Sequence, residues 1–250
     1  MTPNPKTSPD AALGAILGAL VGDAAGAPLE FLGRKPTAAE VKNALCMPGG
    51  GVWGVAPGQF TDDGELTLML AHALANQTAY NVNRVAYCYR KWFLSSPFDV
   101  GHATTNALGS GDLNAPNLAE IVSDNARRKN AESKANGSLM RASPLGVWST
   151  KVSVEEATAA ARQDALLTHP HPTCQWAGAA YVLAIRHLLQ QEGDTQGAFM
   201  AAKNALSSEE AVEVKAWLDD ARHGKLPDCY PQAGFVRIGF TYAFYHLLAQ

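Results

Sequence analysis

The chain has 250 residues, is 47% hydrophobic and carries a formal net charge of −3 at pH 7. It can therefore bury a substantial core, as one large domain or two small ones, and its weak acidity provides no basic field for a nucleic-acid backbone. The four cysteines form no Cys-x-x-Cys pair, which disfavours a zinc knuckle or a small disulfide scaffold and favours free thiols in a reducing cytoplasm.

The N-terminal segment resembles a secretory signal, because Lys6 precedes the small-residue run 11–22. Against this, Ser8, Pro9 and Asp10 suit the N-cap, first-turn proline and first-turn acid of an ordinary helix. The run is also rich in Gly and Ala rather than Leu. No stretch approaches about 18 charge-free apolar residues, so we expect a cytoplasmic protein without a transmembrane helix.

Apolar residues recur with helical spacing along almost the whole chain, which predicts an all-α fold. The predicted helices begin near Asp10, Thr61, Val82, Asn117, Ser153, Thr173, Thr195, Ser208 and Gly239. A capping box at Ser153 and Glu156 marks one start, and His223-Gly224 marks one C-terminal stop. Gly- and Pro-bearing loops are expected at 48–51, 99–111, 136–138, 169–172 and 227–234. Because no long linker interrupts the chain, we expect one domain over residues 1–250.

The segment 59–65, Gln-Phe-Thr-Asp-Asp-Gly-Glu, opens a helix with two adjacent carboxylates and a hydroxyl. One interpretation is structural: Thr61 is the N-cap, and Asp62 and Asp63 interact favourably with the helix dipole. The other is a site for a hard cation, since these side chains offer only oxygen ligands. The helix that follows has one apolar stripe, made of Leu66, Met69, Leu70 and Leu74.

Further polar residues lie in or near the loops, and we expect them to converge on one cleft. Glu30 is a candidate for the cleft or for an exposed helix end, whereas Asp23 suits a structural acceptor bonded to backbone amides. The Gly-hinged run 136–141 offers backbone amides to a phosphate, unless it is a plain Asn-Gly turn. His169 is a candidate ligand contact, and Phe235 is either a stacking surface or a core aromatic at a helix entry.

Six segments in this order resemble the ADP-ribosylglycohydrolase family. They are 18–30, 59–63, 96–101, 136–141, 168–170 and 234–236. The resemblance implies an all-α fold with a cleft for two Mg²⁺ ions. It also implies hydrolysis of the bond that joins ADP-ribose to a protein side chain or a small acceptor, with an ADP-ribosylated molecule as the partner and neither nucleic acid nor membrane required.

Most functional positions that the resemblance implies have a match in this sequence. Thr61, Asp62 and Asp63 match the first group of metal ligands, and Glu30 and Asp62 are the candidate catalytic carboxylates. The residues that match the substrate-binding positions are Asn136, Gly137, Ser138, Met140, His169 and Phe235. Phe235 corresponds to a position associated with stacking on adenine.

One family feature has no match. The second metal cluster, a Gly-Asp-x-Asp-Thr stretch, would follow residue 250, and Gly193-Asp194-Thr195 suits a turn and a helix N-cap instead. We therefore expect a half-built Mg²⁺ site in a bundle without its C-terminal helices. Either a second polypeptide or a removed fragment completes the site, or the chain is a natural truncation with reduced or altered activity.

The sequence is also compatible with two other functions. The first is a non-catalytic module that binds ADP-ribose or a partner protein, which the absent metal cluster favours. The second is a purely structural helical scaffold, which would make the loop motifs coincidental. We also expect the apolar helix 240–248 to present an unsatisfied face to a partner.

Overall fold

The computed structural model describes residues 7–249, and these residues form an all-α fold, as predicted. Within them, β pairing is limited to two isolated antiparallel bridges, Gly50 with Val55 and Ala135 with Phe235. The α-helices of this part of the chain are α1 (Pro9–Gly26), α2 (Ala38–Ala44), α3 (Asp62–Leu74), α4 (Val82–Phe93), α5 (His102–Leu108), α6 (Leu118–Asn130), α7 (Ser143–Ser149), α8 (Val154–Leu166), α9 (Pro172–Gln190), α10 (Thr195–Ala205), α11 (Val212–Arg222) and α12 (Val236–Leu248). Short 3₁₀ turns, Ala27–Leu29 and Glu209–Ala211, extend α1 and precede α11.

The long helices begin where the sequence predicts. Seven of the expected starts fall within one residue of an observed helix, and the Ser153 capping box forms as expected. α12 begins three residues before the predicted Gly239. α2, α5 and α7 were not predicted, and the prediction of a continuous loop over 99–111 is wrong because α5 lies within it. Each of these three helices has only seven residues, too few for hydrophobic periodicity to stand out.

α9 is the central helix of the fold. It packs against α7, α8 and α10 and also contacts α1, α11 and α12. Its surface is lined by Ala177, Gly178, Ala179, Ala180 and Ala184, all buried. These small side chains let neighbouring helices approach closely on every side.

A buried ion pair joins the loop before α7 to the C-terminal end of α8. Arg141 is fully buried, and its guanidinium donates to the Asp164 carboxylate at 3.0 Å and to the Asp164 carbonyl at 2.9 Å. The Tyr89 hydroxyl donates to the same carboxylate at 2.7 Å, and the guanidinium lies 4.3 Å from the Tyr89 ring centroid. An isolated charge would be costly at this depth, so the pair and its hydrogen bonds hold the two segments together.

α1 is apolar but largely exposed. Leu13, Leu17 and Val21 form a stripe on one face, each about half exposed. By length and composition alone the segment Pro9–Leu29 could span a membrane, so the expectation of no transmembrane helix is not confirmed. The prediction of an unsatisfied apolar face on helix 240–248 is wrong: its large apolar side chains, Phe240 and Phe244 among them, are buried or partly buried.

Candidate functional site

The site is built around the first turn of α3. Thr61 and Asp62 are buried and Asp63 is half-buried. Asp23, near the end of α1, accepts hydrogen bonds from the backbone amides of Thr61 at 2.9 Å and Gly64 at 2.7 Å. The prediction that Asp23 is an acceptor for backbone amides is therefore confirmed.

Thr61 occupies the N-cap position of α3, as predicted, but its side chain does not cap the helix. Its hydroxyl instead donates to the Asp23 carboxylate at 2.9 Å. Because the hydroxyl proton is engaged by Asp23, the oxygen lone pairs stay available as acceptors. Thr61 is thus suited to act as a neutral oxygen ligand, oriented by a carboxylate behind it.

Negative charge is concentrated at this helix start. Burial, and next the Asp99 carboxylate, raise the pKa of Asp62 to about 7, although the amide of Gly101 acts in the opposite direction. Burial and the neighbouring Asp62 carboxylate raise the pKa of Asp63 well above its usual range. Among residues 7–249, neither aspartate forms an ion pair with a Lys or Arg side chain. A bound cation would relieve this repulsion.

Glu30 joins this acidic cluster from the segment that follows α1. Burial raises its pKa, and Asp99 acts in the same direction. Trp53 Nε1 donates to Glu30 Oε2 at 3.2 Å. Gly51, with φ of 72°, approaches so closely that a Cβ there would lie 2.8 Å from the Ala27 carbonyl oxygen. Only glycine therefore lets the turn carrying Trp53 pack against the Glu30 segment.

α5 lies between the acidic cluster and the 136–141 loop. Gly101, which precedes α5, presents its amide to Asp62. One turn later, the Thr104 hydroxyl lies 3.6 Å from the position that a Cβ on Gly137 would take, and His169 Cε1 lies 2.6 Å from it. One short helix thus brings the carboxylates, the loop and the histidine into the same region, as the sequence predicted.

The loop that was expected to bind a ligand is pinned to the start of α12. The Asn136 amide donates to the Gly234 carbonyl at 2.9 Å, and the Val236 amide donates to the Lys134 carbonyl at 2.8 Å. Phe235 is half-buried: it packs edge-on against Trp217. A cavity of about 320 Å³ is lined by Lys134, Ala135, Gln232, Gly234 and Phe235. Phe235 therefore serves both as a helix-entry aromatic and as a wall of a cavity beside Asn136.

The side chains of Ser138 and His169 are both deeply buried, whereas Met140 is only partly buried. The Ser138 hydroxyl has no hydrogen-bond partner among the described residues. Burial, and next the Arg141 cation, lower the pKa of His169 to about 3, so its imidazole is neutral near pH 7. His169 is 1% exposed and supports Gly137 from behind, and its predicted contact with a ligand stays a prediction.

Sequence reasoning missed several residues of the site. Trp53 gave no signal, because its contact with Glu30 depends on the positions of two loops. Asp99 was visible only as part of the 96–101 segment. Asn130, at the end of α6, donates to the Ala103 carbonyl at 2.7 Å and to the Thr168 carbonyl at 2.9 Å. Its helix was predicted, but its role in joining α5 to the histidine segment was not.

The oxygen atoms of Thr61, Asp62 and Asp63 provide only part of the coordination shell that a hard divalent cation requires. Thr61, Asp62 and Asp63 supply oxygen ligands of the kind that Mg²⁺ prefers. Within residues 7–249, however, no three Asp, Glu, His or Cys side chains come together as a ready-made metal site. An ion held here would keep water ligands or take further ligands from elsewhere.

Comparison with known families and proteins gives consistent results. The ADP-ribosylglycohydrolase family model matches residues 3–250. A mimivirus protein provisionally named an ADP-ribosyl glycohydrolase is 34% identical over 185 residues, which cover 70% of this chain and 54% of that protein. The ADP-ribosyl-[dinitrogen reductase] glycohydrolase of Rhodospirillum rubrum is 31% identical, with 74% of this chain and 60% of the relative covered.

Two further matches extend this result. An ADP-ribosylarginine hydrolase of Pseudomonas putida is 30% identical over 59% of this chain and 38% of the relative. A solved structure described as an ADP-ribosylglycohydrolase-related protein complex has the same fold, with a TM-score of 0.71 and 22% identity, covering 96% of this chain and 75% of that one. The matched regions thus span less than two thirds of the curated relatives.

Proposed function

Because the chain belongs to the ADP-ribosylglycohydrolase family, we propose that it is a Mg²⁺-dependent hydrolase that releases ADP-ribose from an ADP-ribosylated protein side chain or small acceptor. The observation that carries the proposal is the convergence of Asp62, Glu30 and the Gly137 loop around α5. The carboxylate cluster suits a cation and sugar hydroxyls, and the neighbouring loop, with its buried and unpaired Ser138 hydroxyl, suits an oxygen-rich ligand group.

Thr61, Asp62 and Asp63 are the residues that would hold Mg²⁺. When bound, the ion would polarise and orient the ribose hydroxyls and a water molecule. Two Mg²⁺ ions are expected in the family, and the residues described here supply ligands for part of such a site. Burial and neighbouring carboxylates raise the pKa of Asp62 and Asp63, which a cation would reverse, and Asp23 orients the Thr61 hydroxyl; both observations support the assignment.

The reaction adds water across the glycosidic bond. Glu30 is well placed to take a proton from the attacking water, because Trp53 fixes one of its oxygens and burial raises its pKa, which makes the carboxylate a stronger base. Asp62 is the second candidate base. As the bond from C1″ to the acceptor breaks, positive charge develops on the ribose, and the nearby carboxylates stabilise it. The water oxygen ends on C1″, and the acceptor leaves with a proton.

The substrate-binding residues fall into two groups. Asn136, Gly137, Ser138 and Met140 lie on the loop beside α5, where the buried Ser138 hydroxyl is free to bond a phosphate or ribose oxygen. Phe235 lines the neighbouring cavity and offers a ring face to adenine.

We further propose that a second polypeptide completes the metal site. The exposed apolar stripe of α1, Leu13, Leu17 and Val21, supports this, because it offers a surface on which a second chain would pack. Native mass spectrometry of the purified protein would show such a companion directly, and a particle with the mass of this chain alone would count against it.

The central experiment is the double substitution Asp62→Asn with Asp63→Asn. We expect it to abolish release of ADP-ribose from ADP-ribosylated arginine or serine in the presence of Mg²⁺ while leaving the circular dichroism spectrum nearly unchanged. Full activity in this variant would refute the assignment of the site. Glu192→Gln, at an exposed turn after α9, is the matched control.

The alternative function is a non-catalytic module that binds ADP-ribose. It is favoured by the incomplete metal donor set. Incubation of the wild-type protein with substrate and Mg²⁺ distinguishes the two functions. The assay is run with and without a peptide that carries the family's second metal cluster. Tight binding of ADP-ribose without any release in both cases would favour the binding module.

A further inference from the structure

Gly137 lies between two side chains, Thr104 and His169, and we call this arrangement the glycine slot. A Cβ on Gly137 would lie 2.6 Å from His169 Cε1 and 3.6 Å from the Thr104 hydroxyl. Thr104 belongs to α5, whereas His169 follows the C-terminal end of α8. The width of the slot therefore depends on the spacing of two segments that are far apart in the sequence.

One side chain, Asn130 at the end of α6, contacts both of these segments. Its Nδ2 donates to the Ala103 carbonyl at 2.7 Å and to the Thr168 carbonyl at 2.9 Å. Ala103 and Thr168 are the residues immediately before Thr104 and His169. Each wall of the glycine slot is thus attached, one residue away, to the same nitrogen atom. Because the amide group is planar and its two N–H bonds diverge at a fixed angle, it sets the spacing of the two walls.

The Asn130 side chain is fixed in its orientation. It is buried, and its Oδ1 accepts a hydrogen bond from Asn106 Nδ2, on α5, at 3.0 Å. Reversal of the amide would place Oδ1 against two carbonyl oxygens, so all three hydrogen bonds favour the same orientation. Loss of these partners would leave buried polar groups unpaired, which is costly.

α5 depends on contacts of this kind, because a helix of seven residues is too short to be stable by itself. At its C-terminal end, Asn125 Nδ2 donates to the Ala107 carbonyl at 3.1 Å, and Arg90 Nη1 donates to the Leu108 carbonyl at 2.6 Å. Those contacts hold α5 against α6 and α4. Asn130 holds its first turn and, in contrast to Asn125, also donates to the histidine segment.

We propose that Asn130 is a positioning residue of the ligand site. Its amide sets the width of the glycine slot and thereby holds the 136–140 loop in the conformation that binds ADP-ribose. Asn130 acts through Thr104 and His169 rather than through the ligand. Without the amide, the two carbonyls lose their shared donor, and the loop loses support on both sides of Gly137. The inference rests on the proposed function, since that function assigns ADP-ribose to this loop.

Asn125 provides a matched control on the same helix. Both asparagines are 3% exposed, and Asn125 likewise donates twice, to the Ala107 carbonyl and the Ser110 hydroxyl, and accepts once, from Arg128. Asn125→Ala and Asn130→Ala should therefore lose similar stability towards urea. In calorimetry of the full chain, Asn130→Ala should bind ADP-ribose about 10- to 100-fold more weakly. Asn125→Ala should stay within about 2-fold of the wild type.

Two results of this comparison would overturn the proposal. One is wild-type affinity in folded Asn130→Ala, and the other is an equal loss of affinity in both variants, which would indicate a structural role alone. Asn130→Asp covers the case in which Asn130→Ala does not fold, because it keeps the size and the acceptor of the side chain while an ionised carboxylate donates no hydrogen bond. It should weaken binding to a similar degree, and wild-type affinity in folded Asn130→Asp would also overturn the proposal.

NMR of the His169 ring, recorded without ligand, distinguishes failure of this inference from failure of the proposed function. The ring signals should shift in Asn130→Ala, because the histidine segment is released, and should keep their wild-type positions in Asn125→Ala. Unchanged His169 signals in Asn130→Ala would overturn the inference. If the wild type binds no ADP-ribose, the assignment of the ligand site fails, and the His169 signals still show whether Asn130 sets the slot.

Discussion

Replacing Asp62 with Asn should stabilise the metal-free protein at pH 8. Burial, and next Asp99, raise the pKa of Asp62 from 3.8 to about 7. A carboxyl group whose pKa is higher in the folded state binds more protons when folded, so stability falls as pH rises through this window, and the full penalty is present above it. At 1.36 kcal/mol per pKa unit, the penalty is at most about 4 kcal/mol.

Two effects reduce the expected gain. A first-turn carboxylate interacts with the helix dipole by about 0.3–1 kcal/mol, which asparagine loses. Relaxation of the partly exposed neighbours also lowers the penalty. We therefore expect a gain of about 1–3 kcal/mol at pH 8, and less than about 1 kcal/mol at pH 4.5, where the folded carboxyl is already protonated.

Urea unfolding in EDTA, followed by circular dichroism at both pH values, measures this difference. Adding Mg²⁺ at pH 8 should stabilise the wild type and leave Asp62→Asn unchanged. The exposed control Glu192→Gln should stay within about 0.5 kcal/mol of the wild type. A variant less stable than the wild type at pH 8, or one with the same gain at pH 4.5, would refute the electrostatic reasoning.

Three other substitutions test separate parts of the structure. Asp164→Ala leaves Arg141 buried without its partner, and urea unfolding should show a loss of about 3–5 kcal/mol. Gly137→Ala places a methyl group against His169; calorimetry should show weaker ADP-ribose binding, and denaturation a cost of about 1–3 kcal/mol. Asp23→Ala removes an acceptor from two backbone amides at the start of α3, and thermal unfolding should reveal a loss of about 1–3 kcal/mol. Wild-type values in any of these measurements would contradict the contact concerned.

The sequence was informative where structure depends on neighbours along the chain. α3 and α8 begin at their predicted caps, since periodicity and capping residues are local signals. α2 also carries a capping box, Thr37 with Glu40, but its seven residues gave no periodic stripe to confirm it. The family resemblance assigned substrate binding to the 136–141 loop and to Phe235, and the structure places the two side by side through the bridge between Ala135 and Phe235; their binding role stays a prediction.

Other features of the site were not readable from the sequence, because they depend on contacts between distant segments. Thr61 was expected to cap α3 with its own hydroxyl, but the distant Asp23 carboxylate accepts the first-turn amide of Gly64 in its place, and the Thr61 hydroxyl itself donates to Asp23. The contact between Trp53 and Glu30 likewise depends on a glycine turn that packs against another loop. Local sequence patterns do not specify which of several nearby polar groups forms such a hydrogen bond.

The position of α5 has a consequence for how ligands influence one another. One end of this short helix faces Asp62, and its next turn abuts Gly137. A shift of the helix along its axis would move both contacts at once. Occupation of either subsite should therefore change the affinity of the other by the same factor, as thermodynamic linkage requires. The proposed cation and the proposed sugar-diphosphate ligand would then each alter the affinity of the other by that factor, whichever binds first.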